Sequence, residues 1–302
     1  MKNFHYILVF ICLIIFSCKR QNEKVDYFNK IQGDWISQSN ELNSTYRIFS
    51  FSFNDSLCVY MNPMGSFSKF KNINDTLQII DDRIIPAYKG ERNYHYYKKI
   101  QFKIEKLTDD FLYLTSANKE SKEFFIDYKN KKLDTIKLKK VKPVSNLKIN
   151  KIGFYSSECY GSCPAMYLEI DSSGNFLFQG QRYTEKIGLF KGNLDSLTLS
   201  KIYNNIKSIK LDELKKSYAT SWTDSQSCGV KLKTSKGIIE CNVYGYDKEP
   251  IELRLLFHKL MELYKFTDLV QDSTVINQFE FNEFMYNGYP KIPESYKKIM
   301  IK

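Results

Sequence analysis

Between Ile31 and Val141 apolar and polar residues alternate in short runs. Phe49, Phe51 and Phe53 alternate with Ser50 and Ser52, the turn residues Asn54-Asp55 follow, and Leu57, Val59 and Met61 alternate with Cys58 and Tyr60. A period of two places every second side chain on one face, which marks a half-buried strand. The pattern returns at Leu77 and Ile79, at Ile100, Phe102 and Ile104, and at Leu112 and Leu114 after the turn Thr108-Asp109-Asp110. Phe124 to Tyr128 supplies a further candidate strand. Short strands joined by tight turns, with no helical period between them, predict an antiparallel β-barrel over residues 29–142.

Near Lys142-Pro143-Val144-Ser145 the pattern changes. A strand from Lys148 to Tyr155 is followed by Cys159-Tyr160-Gly161-Ser162-Cys163-Pro164; then Met166, Leu168 and Ile170 alternate up to an Asp171-Ser172-Ser173-Gly174 turn, from which Phe176 and Phe178 return. This is a hairpin. Leu197, Ile202, Ile206 and Ile209 recur at helical spacing within Leu194 to Leu214. Cys228 to Lys233 and Gly237 to Tyr244 form a second hairpin, and Pro250 opens a helix whose apolar face carries Ile251, Leu255, Phe257, Leu260, Met261 and Tyr264. Strand pair, helix, strand pair, helix predicts an α+β domain over residues 148–266, its sheet covered on one face. The extension 267–302, rich in Phe, Tyr and Asn, has no placement from pattern alone.

Two of these features carry resemblances. Gly33-Asp34-Trp35, at the start of the strand run, resembles the Gly-x-Trp opening of lipocalin-like barrels, in which the tryptophan plugs the closed end. A barrel of about eight strands is either filled by side chains or holds one small ligand. Phe49, Phe51, Phe53, Tyr60, Phe67, Phe70, Tyr94, Tyr96, Tyr97 and Phe102 are the residues for either use, a core or the lining of an apolar pocket. The second unit resembles an uncharacterised family of exported bacterial domains marked by Cys-x-Gly-x-Cys-Pro, a Thr-Asp pair and a proline-led last helix. Here these are Cys159, Gly161, Cys163, Pro164, Thr223-Asp224 and Pro250. The resemblance implies a fold and no activity.

The N-terminus adds an address. After Lys2 an uncharged apolar run from Tyr6 to Phe16 is too short for a transmembrane helix, which needs about 20 residues, and fits a signal peptide over residues 1–17. Ile15-Phe16-Ser17-Cys18 resembles the lipobox of bacterial lipoproteins, so Cys18 is the expected lipidation site, carrying palmitate-type acyl chains. Residues 18–28 then form a polar tether. The expected location is the cell envelope, anchored by lipid in the outer membrane and facing the periplasm.

Charge is read in that setting. The formal net charge of +11 drops by one when Lys2 leaves with the signal. A basic balance suggests nucleic acid, but export places the folded chain where nucleic acid is scarce, so none is expected as a partner. The densest cluster is Lys129, Lys131, Lys132, Lys137, Lys139, Lys140, Lys142, Lys148 and Lys151. It reads as a solvated edge strand guarded by lysines, or as a patch for anionic lipid or glycan.

Outside the cytoplasm thiols can pair. Beyond Cys12 and Cys18 the chain holds Cys58, Cys159, Cys163, Cys228 and Cys241. The disulfide candidates are Cys159, Cys163, Cys228 and Cys241, in a connectivity that sequence leaves open; Cys58, on an alternating strand, reads as a buried small hydrophobe. A redox site or a zinc site finds poor spacing here. Only His95 and His258 follow the signal segment, and neither has a metal-ligand neighbour at helical spacing. No hydrolase, metalloprotease or phosphate-loop motif occurs, so no catalytic residue, metal or cofactor is assigned. The expected function is binding rather than catalysis: a small apolar ligand in the barrel, or another envelope protein, with Tyr160, Gly161, Pro164 and Asp224 as the candidate loop. The alternatives are an envelope hydrolase, a thiol redox enzyme and an inhibitor-type interaction module.

Overall fold

The computed structural model describes residues 27–38, 50–62, 64–85, 94–125, 134–221, 223–246 and 248–281. A one-turn helix α1 (Tyr27–Ile31) leads through Gly33, at φ +106°, into a closed antiparallel barrel. Its strands are β1 (Gly33–Ser37), β2 (Ser50–Asn54), β3 (Leu57–Asn62), β4 (Met64–Ile73), β5 (Thr76–Ile85), β6 (Tyr94–Leu107), β7 (Phe111–Ser116) and β8 (Ile136–Lys140). Asp55 and Asn74 hold the left-handed backbone of the β2–β3 and β4–β5 turns, a conformation that Asp and Asn tolerate. The first of these turns sets the register: Phe53 pairs with Cys58 and Phe51 with Tyr60. Paired residues share a face, so Cys58 and Tyr60 follow the phenylalanines inward, while Leu57 is left exposed.

The described interior of the barrel is filled. Trp35, Phe51, Phe53, Phe70, Leu77, Ile79, Ile100, Phe102, Leu112, Leu114, Ile136 and Leu138 are all buried in one cluster. Phe53 meets Phe70 edge-on at 4.9 Å between centroids, and Phe51 meets Phe102 at 5.9 Å. The segment Phe124–Phe125, expected as a strand, is a 3-10 turn instead. Asn118 caps the short helix α2 (Lys119–Lys122) in a reciprocal box with Ser121, and the helical continuation drives both phenylalanines into the barrel. Phe124 lies edge-on to Tyr60 at 5.8 Å. Residues 126–133, with Lys129, Lys131 and Lys132, fall outside the described residues, as do Phe49 and the side chains of Phe67 and Tyr94. Tyr97 points outward and is exposed.

The lysine-rich strand β8 is not an edge, as the charge pattern suggested. It pairs with β7 on one side and with β1 on the other and so closes the barrel. Its lysines work locally: Lys140 stands 5.0 Å over the Trp35 ring, Lys137 lies over Tyr113, and Lys139 pairs with Glu252 at 2.9 Å.

The second unit is one eight-stranded sheet. In chain order it comprises β9 (Ile149–Ser156), β10 (Ala165–Asp171), β11 (Asn175–Arg182), β12 (Gly188–Asn193), β13 (Ser217–Ala219), β14 (Ser227–Thr234), β15 (Gly237–Tyr244) and β16 (Leu269–Gln271). Across the sheet the order is β13-β15-β14-β9-β10-β11-β12-β16, with only β13 against β15 parallel. Helices α3 (Ser196–Ser208) and α4 (Ile251–Glu262) pack on one face. Asp195 caps α3 by accepting from the Thr198 amide, and Pro250, with φ near −56°, pre-sets the start of α4. Their apolar stripes, including Ile202, Ile206, Leu256 and Leu260, close over Phe154, Leu168, Phe178 and Val230.

The opposite face, expected to be open, is also covered. After β16 a 3-10 turn (Ser273–Asn277) carries the extension back across the sheet, and Val275, Phe279 and Phe281 bury against Tyr155, Tyr167, Leu177 and Leu189. Residues 282–302 fall outside the described residues.

The two units meet through α3 and α4. Ile36 of the barrel is buried with Ile251 and Leu255, and Asp34 accepts from Ser52, Asn205 and Lys259. No helix among the described residues is long and apolar enough to cross a membrane.

Candidate functional site

A groove of about 650 Å³ opens on the second unit where the β9–β10 loop, the β13–β14 turn and α4 converge. It is built outward from the sheet. Leaving β9, the chain is tied down before it turns: Ser156 donates to the Pro164 carbonyl at 2.6 Å, and the Gln226 amide donates to the carbonyls of Ser157 and Pro164 at 3.0 and 3.1 Å. These bonds fix both ends of the loop to the β14 side of the groove. Cys159 and Cys163 are joined as a disulfide across the loop. Tyr160 stands at its tip, 90% exposed, and its amide donates to the Asp224 carbonyl at 3.0 Å.

Asp224 and Tyr183 line the same groove, and both have left-handed backbones, at φ +62° and +55°. For a bulky residue such as Tyr183 this is an outlier, and backbone strain of this kind concentrates at binding and active sites. Pro164, Tyr183, Met261 and Tyr264 give the groove an apolar wall. Glu262 and Lys265 pair with each other at 2.7 Å on its rim. Among the described residues Asp224 forms no ion pair; its side chain accepts from Thr223. Trp222, its neighbour, lies outside the described residues.

Tyr246 and His258 also line the groove, and Cys228 lies behind them. Cys228 Sγ and Tyr246 OH are 2.7 Å apart, and the hydroxyl donates onward to Gln226 at 3.3 Å. The His258 ring centroid is 5.4 Å from that of Tyr246. Burial, reinforced by the Arg254 guanidinium, pushes His258 down to about 4, so it is neutral at pH 7. Burial pushes the Cys228 thiol up to about 12, against the opposing effect of its hydrogen bond with Tyr246. A protonated thiol is a poor nucleophile and a histidine so hard to protonate is a weak base. Arg254 pairs with Glu249 in the interior beneath them. The constellation supports the groove wall and lacks the poise that acid-base or thiol chemistry needs.

The structure therefore joins the four residues read from the sequence, Tyr160, Gly161, Pro164 and Asp224, on one loop and its facing turn. It separates them from Cys228 and Cys241, which are not a disulfide. In the hairpin Cys228 pairs with Val243 and Cys241 with Val230, so the two thiols are offset by two residue pairs, with Gly229–Asn242 between them, and both are buried in the main core as small apolar groups. Cys58 is likewise free and buried inside the barrel. Among the described residues no group of three or more His, Cys, Asp and Glu could hold a metal ion. Tyr183, Tyr246 and Met261 escaped the sequence reading because nothing local marks them: they reach the groove from a strand end, a turn and a helix that only the fold brings together.

A closed antiparallel barrel followed by an α+β domain with a disulfide-braced groove is the class of molecule these features define. Residues 150–264 match the family described as Domain of unknown function (DUF6438), so the second unit is a domain of that description. The chain is also 29% identical over 173 residues to the CRISPR-associated endoribonuclease Cas13a of Leptotrichia wadei (strain F0279), which covers 51% of this chain and 14% of that protein. So partial a likeness carries no activity across. No solved structure matches the chain.

Proposed function

We propose that this chain is a lipoprotein of the bacterial cell envelope, anchored through acyl chains on Cys18, that binds another envelope protein through the groove beside Tyr160. The observation that carries the binding reading is the Cys159–Cys163 loop, whose cysteines line a groove of about 650 Å³ and whose tip carries a 90% exposed tyrosine. Exposing a large aromatic side chain on a braced loop gains little for folding, whereas rigid aromatic anchors dominate binding energetics. The anchor rests on the lipobox-like Ile15-Phe16-Ser17-Cys18 and the polar residues after it; the tether expected over 18–28 is shorter, because Tyr27 and Phe28 belong to α1. About 0.8 kcal/mol per buried methylene makes two or more acyl chains a stable anchor. We place it in the outer membrane, facing the periplasm. The Gly-x-Trp opening suits a lipocalin-like barrel, but the filled interior favours the barrel as a scaffold over a barrel that holds an apolar ligand.

The test has two arms. Radiolabelled palmitate should enter the full chain and not Cys18→Ser, which should also leave the membrane fraction; labelling of neither, or retention of both, sinks the anchor. A photo-cross-linking residue at position 160 should yield a discrete adduct in intact envelopes that is lost in Asp224→Ala. The same residue at exposed position 97 on the barrel serves as the control. Equal adducts at both positions would sink the groove.

A further inference from the structure

We infer that the back face of the second sheet is a peptide-binding site for a short, bent aromatic–acidic–aromatic segment, which this chain fills with its own Phe279-Glu280-Phe281. The site is distinct from the groove and does not depend on it.

Glu169 is the centre. It sits in mid-strand on β10, 1% exposed, between Leu168 and Ile170, where a carboxylate is costly unless it is bonded and paired. Its oxygens accept from the amides of Phe281 at 2.7 Å and Glu280 at 3.0 Å, from the Tyr167 hydroxyl at 2.7 Å, and Lys151 stands 3.2 Å away. Two of its four partners are thus consecutive backbone amides of the bound segment, turned to one side by the bend at Glu280, a main-chain grip that reads a bent peptide whatever its side chains.

Specificity comes from what surrounds that grip. Gly153 leaves a slot on β9: a Cβ there would lie 2.7 Å from Phe281 Cδ2. Tyr167 takes the other ring, meeting Phe279 edge-on at 4.9 Å. Between the two rings, Glu280 is held by Lys233 at 2.6 Å and Lys151 at 3.1 Å. An aromatic, an acid and an aromatic are each matched by a separate feature of the sheet.

Gly153, Tyr167 and Glu169 lie inside the matched domain, residues 150–264, while the occupant lies beyond it. The extension is the peptide that this chain supplies to that face. An equivalent segment offered from outside should compete once the tethered one is weakened.

The experiment uses the full chain in mild detergent and a labelled peptide copying residues 277–283, followed by fluorescence anisotropy. Phe279→Ala/Phe281→Ala, whose own segment is crippled, should bind the peptide, and adding Glu169→Gln should weaken that binding about tenfold or more, as the loss of charge-assisted bonds to two amides implies. A folded double variant that ignores the peptide, or one indifferent to Glu169→Gln, overturns the proposal. Should the double variant fail to fold, hydrogen exchange on the unaltered chain decides. Amides of Glu280 and Phe281 that exchange well before those of β9 and β10 support a separable ligand, and exchange only together with the sheet overturns it.

Discussion

Lys259 Nζ of helix α4 stands 2.6 Å from Asp34 Oδ2, joining the second unit to the first strand of the barrel. Asp34 is the middle residue of Gly33-Asp34-Trp35, so the motif that opens the barrel also carries the joint. Burial opposes its ionisation, but the Lys259 charge and hydrogen bonds from Lys259, Ser52 and Asn205 outweigh this and hold the carboxyl below its usual 3.8. Asp34→Asn keeps the shape and removes the charge. We expect it to lower stability by about 1–3 kcal/mol at pH 7, because it leaves Lys259 partly buried without its counter-ion. A depressed carboxylate stabilises above its unfolded value and loses that contribution as pH falls through the folded one. The penalty in thermal melts should therefore shrink below about pH 4; a constant penalty down to pH 2 would refute the assignment.

His258 titrates in a different window. Its folded value, about 4, lies below the unfolded 6.5, so the unfolded chain binds the proton first and stability declines as pH falls from 6.5 towards 4. The loss is on the order of 3 kcal/mol. A variant such as His258→Gln should flatten the stability profile across that window while leaving the steeper fall below pH 4, where Asp34 acts. Unchanged slopes in equilibrium unfolding between pH 6.5 and 4.5 would contradict it.

Much of this architecture was legible because burial follows period two in strands and about 3.6 in helices. The barrel strands around Phe51, Ile79 and Phe102, the hairpin turning at Ser235-Lys236, and the helix led by Pro250 all announce themselves locally. What escaped depends on contacts across long sequence separations. Phe124 and Phe125 look like a strand until Asn118 caps the turn before them. Phe279 and Phe281 have no local period, and their place is dictated by Glu169, more than a hundred residues earlier. Cys228 and Cys241 fall close together on a hairpin, but a register offset by two pairs keeps them from facing each other. Tyr160, Gly161, Pro164 and Asp224 were readable as a candidate loop from the cysteine-bracketed motif and the Thr-Asp pair, while the wall formed by Tyr183 and Met261 was not.

The thiols give a sharp count. Cys58, Cys228 and Cys241 are free and buried, and Cys159 is bonded to Cys163. In a chain begun at residue 19, a thiol reagent at pH 8 should find essentially nothing in the native state and three thiols on unfolding without reductant. A single thiol on unfolding would mean that Cys228 and Cys241 are paired after all. Closing so short a loop contributes only about 2 kcal/mol in the chain-entropy view. Cys159→Ser/Cys163→Ser should therefore remain folded, with its loss concentrated in the loop that carries Tyr160.

Gln226 is what holds that loop to the sheet, through the Ser157 and Pro164 carbonyls, and it is itself buried. Truncation to alanine leaves the Ser157 carbonyl without its side-chain donor and the Pro164 carbonyl with Ser156 alone. The expected cost is about 1–3 kcal/mol, with faster hydrogen exchange at the Tyr160 amide, whose acceptor is the Asp224 carbonyl. Exchange that quickens equally across β9 and β14 would show that Gln226 supports the sheet at large instead.

Two glycines on adjacent strands separate the tail from the sheet beneath it. A Cβ at Gly153 would press on Phe281 at 2.7 Å, and a Cβ at Gly229 would meet the Tyr155 ring at 2.3 Å and Asn242 at 2.7 Å. The first collision is with a segment that can leave, the second with side chains fixed within the sheet. Gly153→Ala should therefore release the extension, seen as rapid proteolysis beyond residue 266 with the melting transition shifted little. Gly229→Ala should cost about 1–3 kcal/mol of global stability, as overpacking does, with the extension still protected. If Gly153→Ala instead lowers the melting temperature as much as Gly229→Ala and leaves the tail resistant, then the segment is an inseparable part of the core, and the peptide it carries has no independent hold on the face.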